Sequence, residues 1–396
     1  MSVDTDRCNL PAATILAADP SMLSSLIRYS FGNNSNKSVS LNGVPPPAAP
    51  LLGRARILIC RTDNIGDVVL TLPLAGYIKQ HWPGATVDFL CRPYAAAVAG
   101  QCRHIDAVKS FDRKHDSDAL AAGLFAGQRY DIVIFAFPDR RLAKAARRAG
   151  VPHRVGTSHR LFHWFDCNRL AHFSRARSNL HEAQLNFALL RPLGIAAAPA
   201  LADIPAWYGL QAPRDAGADA LRGQAGFNLI LHPKSNGNGR EWPAAHYEAL
   251  ARRLRDLPGL AIWVTGSAAE GEILRREAPG LFALPHVRML CGSVDLDGLC
   301  AHIGVADGLI ASGTGPLHLG AALGRPVLGL FPPIASIDIA RWGALGARGQ
   351  SLDAPTRCAT CTGRASCTCM AAIGVDAVAA VVRVWHSDKR DGRSAH

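Results

Sequence analysis

Two segments carry the residues best placed to do chemistry. The later one, Ser312-Gly313-Thr314-Gly315-Pro316-Leu317-His318, follows the apolar run Gly308 to Ala311 and opens a short helical stretch. At a helix start the backbone N–H groups lack intrahelical partners and the dipole presents its positive end, so this turn reads as a seat for phosphate. The earlier one, Arg61 to Pro73, leaves the apolar run Ile57-Leu58-Ile59-Cys60 as a polar loop that ends in Gly66-Asp67. Val68, Val69, Leu72 and Leu74 then supply the apolar face of a helix. Asp67 would stabilise that helix start by roughly 0.3–1 kcal/mol through the dipole. It is also one of two carboxylates, with Asp63, that this loop could turn to proton transfer.

Two weaker signals lie between them. His232-Pro233-Lys234-Ser235-Asn236-Gly237-Asn238-Gly239-Arg240-Glu241 is a Gly/Asn-rich loop with two cations, and it closes on Trp242-Pro243. Proline is tolerated in the first turn of a helix, so a helix should begin there. A basic loop of this kind is either an anion clamp or a solvated face. The other signal, Thr265-Gly266-Ser267-Ala268-Ala269-Glu270, follows the apolar run Ala261 to Val264.

The elements that must hold these loops alternate in a regular way. Apolar runs at 57–60, 86–91, 132–136 and 154–156 are separated by helical stretches, among them one from Gly66 to about His81. A second series comprises runs at 229–232, 261–266, 309–311 and 327–331, with helices at 244–257 and 296–306. Strands alternating with helices predict α/β architecture with parallel, doubly wound sheets. Ligands in such sheets sit at the carboxyl ends of strands, so the signature loops can face one cleft. With 396 residues, 48% of them hydrophobic, the chain is long enough for two cores. The join is expected in the Pro- and Ala-rich stretch Leu193 to Pro213.

The ordered set of motifs resembles glycosyltransferase family 9, the ADP-heptose:lipopolysaccharide heptosyltransferases. The match runs through Gly66, Asp67, Thr71, Leu72 and Pro73, then the Lys234–Pro243 loop, the Gly266–Glu270 turn, and Thr314, Gly315 and His318. The resemblance spans about residues 54–385. It implies a GT-B fold, with an acceptor half at 54–205 and a donor half at 206–385, while the Ser-, Asn- and Pro-rich residues 1–53 read by composition as a flexible tail and 386–396 as a polar tail. It further implies an inverting, metal-independent transfer without cofactor, most simply of heptose from ADP-heptose to lipopolysaccharide core. Asp67 is then the general base, with Asp63 its rival. Lys234, Ser235, Arg240, Thr314, Gly315 and His318 would hold the donor diphosphate, and Gly266 and Glu270 would meet the nucleoside. One position departs from the family: Gly313 stands where an Asp is usual, which leaves the donor sugar open and keeps alive another donor, a protein acceptor or a non-catalytic sugar-binding role.

Charge and composition narrow the partners. Lys and Arg number 43 against 31 Asp and Glu, a net charge of +12, which favours anions without choosing among nucleotides, phosphorylated glycolipids, anionic membrane and nucleic acid. Arg140, Arg141, Lys144, Arg147, Arg148, Arg154, His159 and Arg160 precede Phe162, Trp164 and Phe165, a mixture that suits either a phosphorylated glycolipid at a membrane surface or an ordinary Arg-rich face. No RNA-binding motif accompanies it, so nucleic acid is not expected. No uninterrupted apolar stretch reaches membrane-spanning length, and Asp4, Asp6 and Asp19 argue against a leader at the start, so the expectation is a cytoplasmic protein, peripheral at most. Eleven cysteines, an odd number placed largely in apolar runs, read as reduced thiols. Cys358, Cys361, Cys367 and Cys369 form a cluster that either binds a metal or is a family trait without one.

Overall fold

The computed structural model of the protein describes residues 39–40, 52–224, 226–235, 237, 239–357 and 368–392. The expected N-terminal tail, apart from residues 39–40 and 52–53, and Cys358, Cys361 and Cys367 lie outside the described residues.

Two sheets form. The first contains β1 (Val39–Ser40), β2 (Arg56–Cys60), β3 (Thr86–Cys91), β4 (Ala107–Ser110), β5 (Ile132–Phe135), β6 (His153–Thr157) and β7 (Arg169–Ala171). Its order is β1-β7-β6-β5-β2-β3-β4, parallel except for the antiparallel pairing of β1 with β7. The second contains β8 (Phe227–His232), β9 (Leu260–Val264), β10 (Val287–Met289), β11 (Gly308–Ser312), β12 (Val327–Phe331) and β13 (Gly349–Asp353). It is parallel throughout, in the order β10-β9-β8-β11-β12-β13. Helices cover both faces of such sheets, which is why β5, β8, β11 and β12 are buried along their whole length.

Strand order reverses between β2 and β5 and again between β8 and β11. Loops that leave the carboxyl ends of strands flanking such a reversal diverge to opposite faces and leave a crevice. The segments after β2, β8 and β11 are the Arg61–Asn64 loop with the helix start that follows it, the Pro233–Arg240 loop, and the Gly313–Thr314 turn, so the topology itself aims all three at crevices. A continuous apolar cluster, including Ile57, Val68, Leu317 and Leu309, runs from one sheet into the other.

The structure departs from the expected elements in instructive places. The single helix expected from Gly66 to His81 is two, Ile65–Val69 and Leu72–His81. Pro73 has no N–H to donate and sits in the first turn of the second helix, and the Thr71 hydroxyl caps the break by donating to the Asp67 carbonyl at 2.7 Å. Strands β4 and β13 carry no fully buried residue, so the apolar run that marks a central strand is missing from their sequence. The Pro- and Ala-rich stretch contains the 3₁₀ segment Leu201–Trp207, which packs on the helix Leu72–His81 through Tyr77 and Trp207, ring centroids 5.2 Å apart. Contact is so close that a Cβ on Gly76 would lie 2.1 Å from the Trp207 carbonyl oxygen. The last helix, Val375–Arg390, runs on into the expected polar tail, where Lys389 pairs with Asp307 at 2.7 Å.

Candidate active site

Glycines let the two halves of the site meet. The helices Ile65–Val69 and Gly315–Ala322 abut at their N-terminal ends, where a Cβ on Gly66 would lie 2.9 Å from His318 Cδ2 and one on Gly315 only 1.9 Å from Ile65 Cγ2. Beside this contact lies a cleft of about 660 Å³. Asp67, Ser235, Arg240, Glu270, Thr314, Gly315 and His318 all line it, so seven of the nine expected site residues converge; Lys234 and Gly266 are not among its lining residues.

On the side of the first sheet, Asp67 is held from below. Its carboxylate pairs with the buried guanidinium of Arg61, whose Nε also donates to Asp63 Oδ1 at 2.8 Å. Arg61 donates further to Asn186 Oδ1 at 3.2 Å and lies 3.4 Å from Glu182 Oε1. Burial works against its charge, but Asp63, Asp67 and Glu182 outweigh that and keep Arg61 protonated. Burial pushes the Asp63 carboxyl up to about 6, with Arg61 opposing and the charge on Asp67 adding to the rise. Asp67, not Asp63, lines the cleft.

The Thr-Leu-Pro end of the first motif has a structural explanation. The Thr71 hydroxyl locks the short helix through the Asp67 carbonyl, and Asn186 Nδ2 donates back to Thr71 Oγ1 at 3.1 Å and to the Leu70 carbonyl at 2.9 Å. The backbone that carries Asp67 is thereby fixed to the helix Glu182–Phe187.

On the side of the second sheet, Thr314 is the N-cap of its helix, yet its side chain makes no capping bond. Thr314 Oγ1 and His318 Nδ1 are both buried without a hydrogen-bond partner in the protein. Burial pushes His318 down to about 3, with His181 adding to the effect, so the imidazole is neutral. His232 also lines the cleft, bonds Thr265 Oγ1 at 2.9 Å, and is pushed down to about 4 by burial.

The Pro233–Arg240 loop is organised by a residue that sequence reasoning passed over. Glu241 Oε1 accepts from the Ser235 N–H at 2.8 Å and from its hydroxyl at 3.0 Å, while Glu241 Oε2 takes Lys234 at 3.1 Å. Lys234 is shared with Glu277 at 2.6 Å, which directs its ammonium to these carboxylates. Arg240 remains at the cleft. Glu270 closes a capping box with Ser267, accepting from its N–H at 2.7 Å and its hydroxyl at 2.9 Å. Gly266 packs under Glu270, its Cβ position 3.2 Å from Oε2.

Gly313 is explained by a neighbour. A Cβ there would lie 2.6 Å from Phe331 Cε1, and one on Gly329 would lie 2.5 Å from Cε2 of the same ring. The Phe331 ring fills the space beneath the turn, fully buried at the carboxyl end of β12.

Two facing, parallel Rossmann-like sheets with a cleft at their switch points, a helix N-terminus on one side and a clamped carboxylate on the other, define a GT-B glycosyltransferase architecture. The chain belongs to glycosyltransferase family 9 (heptosyltransferase), whose family model matches residues 122–369. It is similar to lipopolysaccharide heptosyltransferase 1 of Escherichia coli, 27% identical over 301 residues that cover 70% of this chain and 88% of the relative. Among solved structures, the family 9 glycosyl transferase of Veillonella parvula superposes with a TM-score of 0.68 at 19% identity, covering 84% of this chain and 97% of that one. The E. coli ADP-heptose lps heptosyltransferase II gives 0.66 at 19% identity, covering 85% and 99%. The Asp67 loop precedes the segment matched by the family model. Among the described residues no helix is long and apolar enough to cross a membrane.

Proposed function

We propose that the protein is an inverting, metal-independent transferase that moves a sugar, most simply heptose from ADP-heptose, onto a phosphorylated envelope glycolipid. The observation that carries this reading is the pair of buried, unpartnered polar atoms, Thr314 Oγ1 and His318 Nδ1, beside the helix start at Gly315 and in the same cleft as Asp67. A buried polar atom without a partner costs about 1–3 kcal/mol, and a ligand in the cleft that completed these two would recover that cost. A donor diphosphate supplies acceptor oxygens for the Thr314 hydroxyl, the free N–H groups of the helix start, Arg240 and one tautomer of His318.

In the proposed reaction the acceptor hydroxyl attacks the anomeric carbon as Asp67 takes its proton, and the carbon–oxygen bond to the diphosphate breaks on the opposite face. The electron pair leaves with the nucleoside diphosphate, where Arg240 and the helix dipole stabilise the developing charge. Asp67 is 14% exposed at its side chain, open enough to meet an acceptor yet held in one orientation by Arg61. Glu270 then meets the nucleoside with the part of its carboxylate not engaged by Ser267.

The acceptor surface is proposed on the first half. Leu161 and Phe165 on the helix Leu161–Asp166 are 76% and 71% exposed, next to the basic helix Arg140–Arg148, a pairing that suits the headgroup region of an anionic membrane. The test is a panel of nucleotide-sugars incubated with the protein, with and without envelope glycolipid. Glycolipid-dependent release of ADP from ADP-heptose is the expected result; release from a different donor alone reassigns the sugar, and release from none points to a binding protein.

A further inference from the structure

Glu182, at the first turn of the helix Glu182–Phe187, is 1% exposed and is not among the cleft-lining residues. Its carboxylate nonetheless gathers three guanidiniums. Oε1 accepts from Arg175 Nε at 2.9 Å and lies 3.4 Å from both terminal nitrogens of Arg61, and Oε2 accepts from Arg341 at 2.5 Å. Burial opposes its ionisation, but Arg61, Arg175 and Arg341 hold it below the usual carboxylate range. Asp63, Asp67 and Glu182 thus face Arg61, Arg175 and Arg341 in a balanced cluster, and Arg61 is the member that touches all three carboxylates.

We propose that Glu182 is a positioning residue for the transfer: by drawing on Arg61 it keeps that guanidinium from fully neutralising Asp67, and through Arg341 it ties the base to the opposite wall of the cleft. The proposal rests on the reading of Asp67 as the base. A carboxylate wholly satisfied by one guanidinium is a poor proton acceptor, and a third carboxylate on the same guanidinium restores basicity. Arg341 belongs to the helix Ile339–Trp342, whose Trp342 lines the cleft, and His181 next to Glu182 bonds the Gly343 carbonyl at 3.0 Å. The same two neighbours therefore latch the far wall to the helix that fixes the base.

The charged and titratable groups around the base come from several elements. Asp63 and Arg61 lie in the loop before its helix, Arg92 and Tyr94 line the cleft, and Tyr94 donates to the Asp63 carbonyl at 3.3 Å. Glu182, Arg175 and Arg341 lie behind Arg61, and His318 and His181 are held neutral by burial. Removing one negative charge from this set makes the remaining carboxylates easier to ionise, which moves their titration to lower pH.

The test is a ¹³C-carboxyl NMR titration of the Asp63–Asp67 pair in wild type and Glu182→Gln, run beside the pH profile of kcat/KM for ADP release from ADP-heptose. The midpoint of Asp63, pushed up to about 6 by burial, should fall by roughly 0.5–1 pH unit because Asp63 and Glu182 share Arg61, and the acidic limb of the profile should move to lower pH. kcat should fall on the order of tenfold while donor KM stays put. A midpoint that stays or rises overturns the proposal. Should Glu182→Gln not fold, Arg175→Gln, at a side chain 31% exposed, carries the test. It removes a positive charge and leaves Glu182 to draw harder on Arg61, so the midpoint must rise; a midpoint that stays or falls again overturns the proposal. Asp67→Asn separates the two claims: wild-type turnover in that variant defeats the base assignment, whereas an inactive Asp67→Asn with an unmoved Glu182→Gln titration defeats only the positioning role.

Discussion

A Cβ on Gly315 would sit 1.9 Å from Ile65 Cγ2, so the two helix starts that bound the cleft touch at a point where only glycine fits. Ile65 opens the helix that carries the base and Gly315 opens the helix whose start is the phosphate seat, which makes this contact the mechanical link between them. Gly315→Ala should cost roughly 1–3 kcal/mol through overpacking. Ile65→Ala in the same chain should recover most of that loss, since it removes the atom that is struck. Chemical denaturation of the two single variants and the double variant measures it; additive losses would mean the helices do not meet this way.

The two cations of the Pro233–Arg240 loop should behave differently. Arg240 lines the cleft, whereas Lys234 is committed to Glu241 and Glu277. Arg240→Ala should weaken ADP binding by roughly 1.5–3 kcal/mol, the range for charge-assisted hydrogen bonds. Lys234→Ala should weaken it less and act through the loop. Calorimetry against ADP decides, and equal losses would place both cations on the phosphates.

Restoring a carboxylate at position 313 requires a second change. The Phe331 ring lies 2.6 Å from where the Cβ of Gly313→Asp would be placed. The single variant should therefore lose stability without gaining donor selectivity, while Gly313→Asp with Phe331→Ala should accommodate the side chain. Comparing kcat/KM for ADP-heptose and competing donors tests whether Gly313 marks a changed sugar preference. A single variant that is both stable and more selective would contradict the packing argument.

Acidification should act through His232, which burial holds down to about 4 against an ordinary value of 6.5. Between these values the unfolded chain binds the proton and the folded one does not. The contribution is therefore fully present above pH 6.5 and is lost as pH falls toward 4, by roughly 3 kcal/mol in all. The stability advantage of wild type over His232→Asn should shrink by about that amount across the window. A difference independent of pH would mean His232 titrates normally in the folded protein.

Much of this site is legible in the sequence because its parts are local. Gly66-Asp67 and Thr314-Gly315 each follow a central strand, and a central strand in a parallel sheet is an unbroken apolar run, the clearest signal such a chain carries. The half-exposed edges β4 and β13 lack that signal. Nor could local pattern show the cluster around Glu182, since Arg61, Arg175, Glu182 and Arg341 come from segments that only the fold brings together. The same holds for Phe331, which explains Gly313 from a neighbouring strand, and for Glu241, whose two oxygens set the course of the loop before it.

Asp67 is the group proposed to take the acceptor proton. The most direct measurement is single-turnover ADP release from ADP-heptose, with glycolipid acceptor, by wild type and Asp67→Asn, alongside ADP affinity for both. The expected result is a loss on the order of 10²–10⁴ in rate with donor affinity kept, the usual worth of general-base catalysis. Near-normal turnover in Asp67→Asn, with the loss appearing instead in Asp63→Asn, would contradict it.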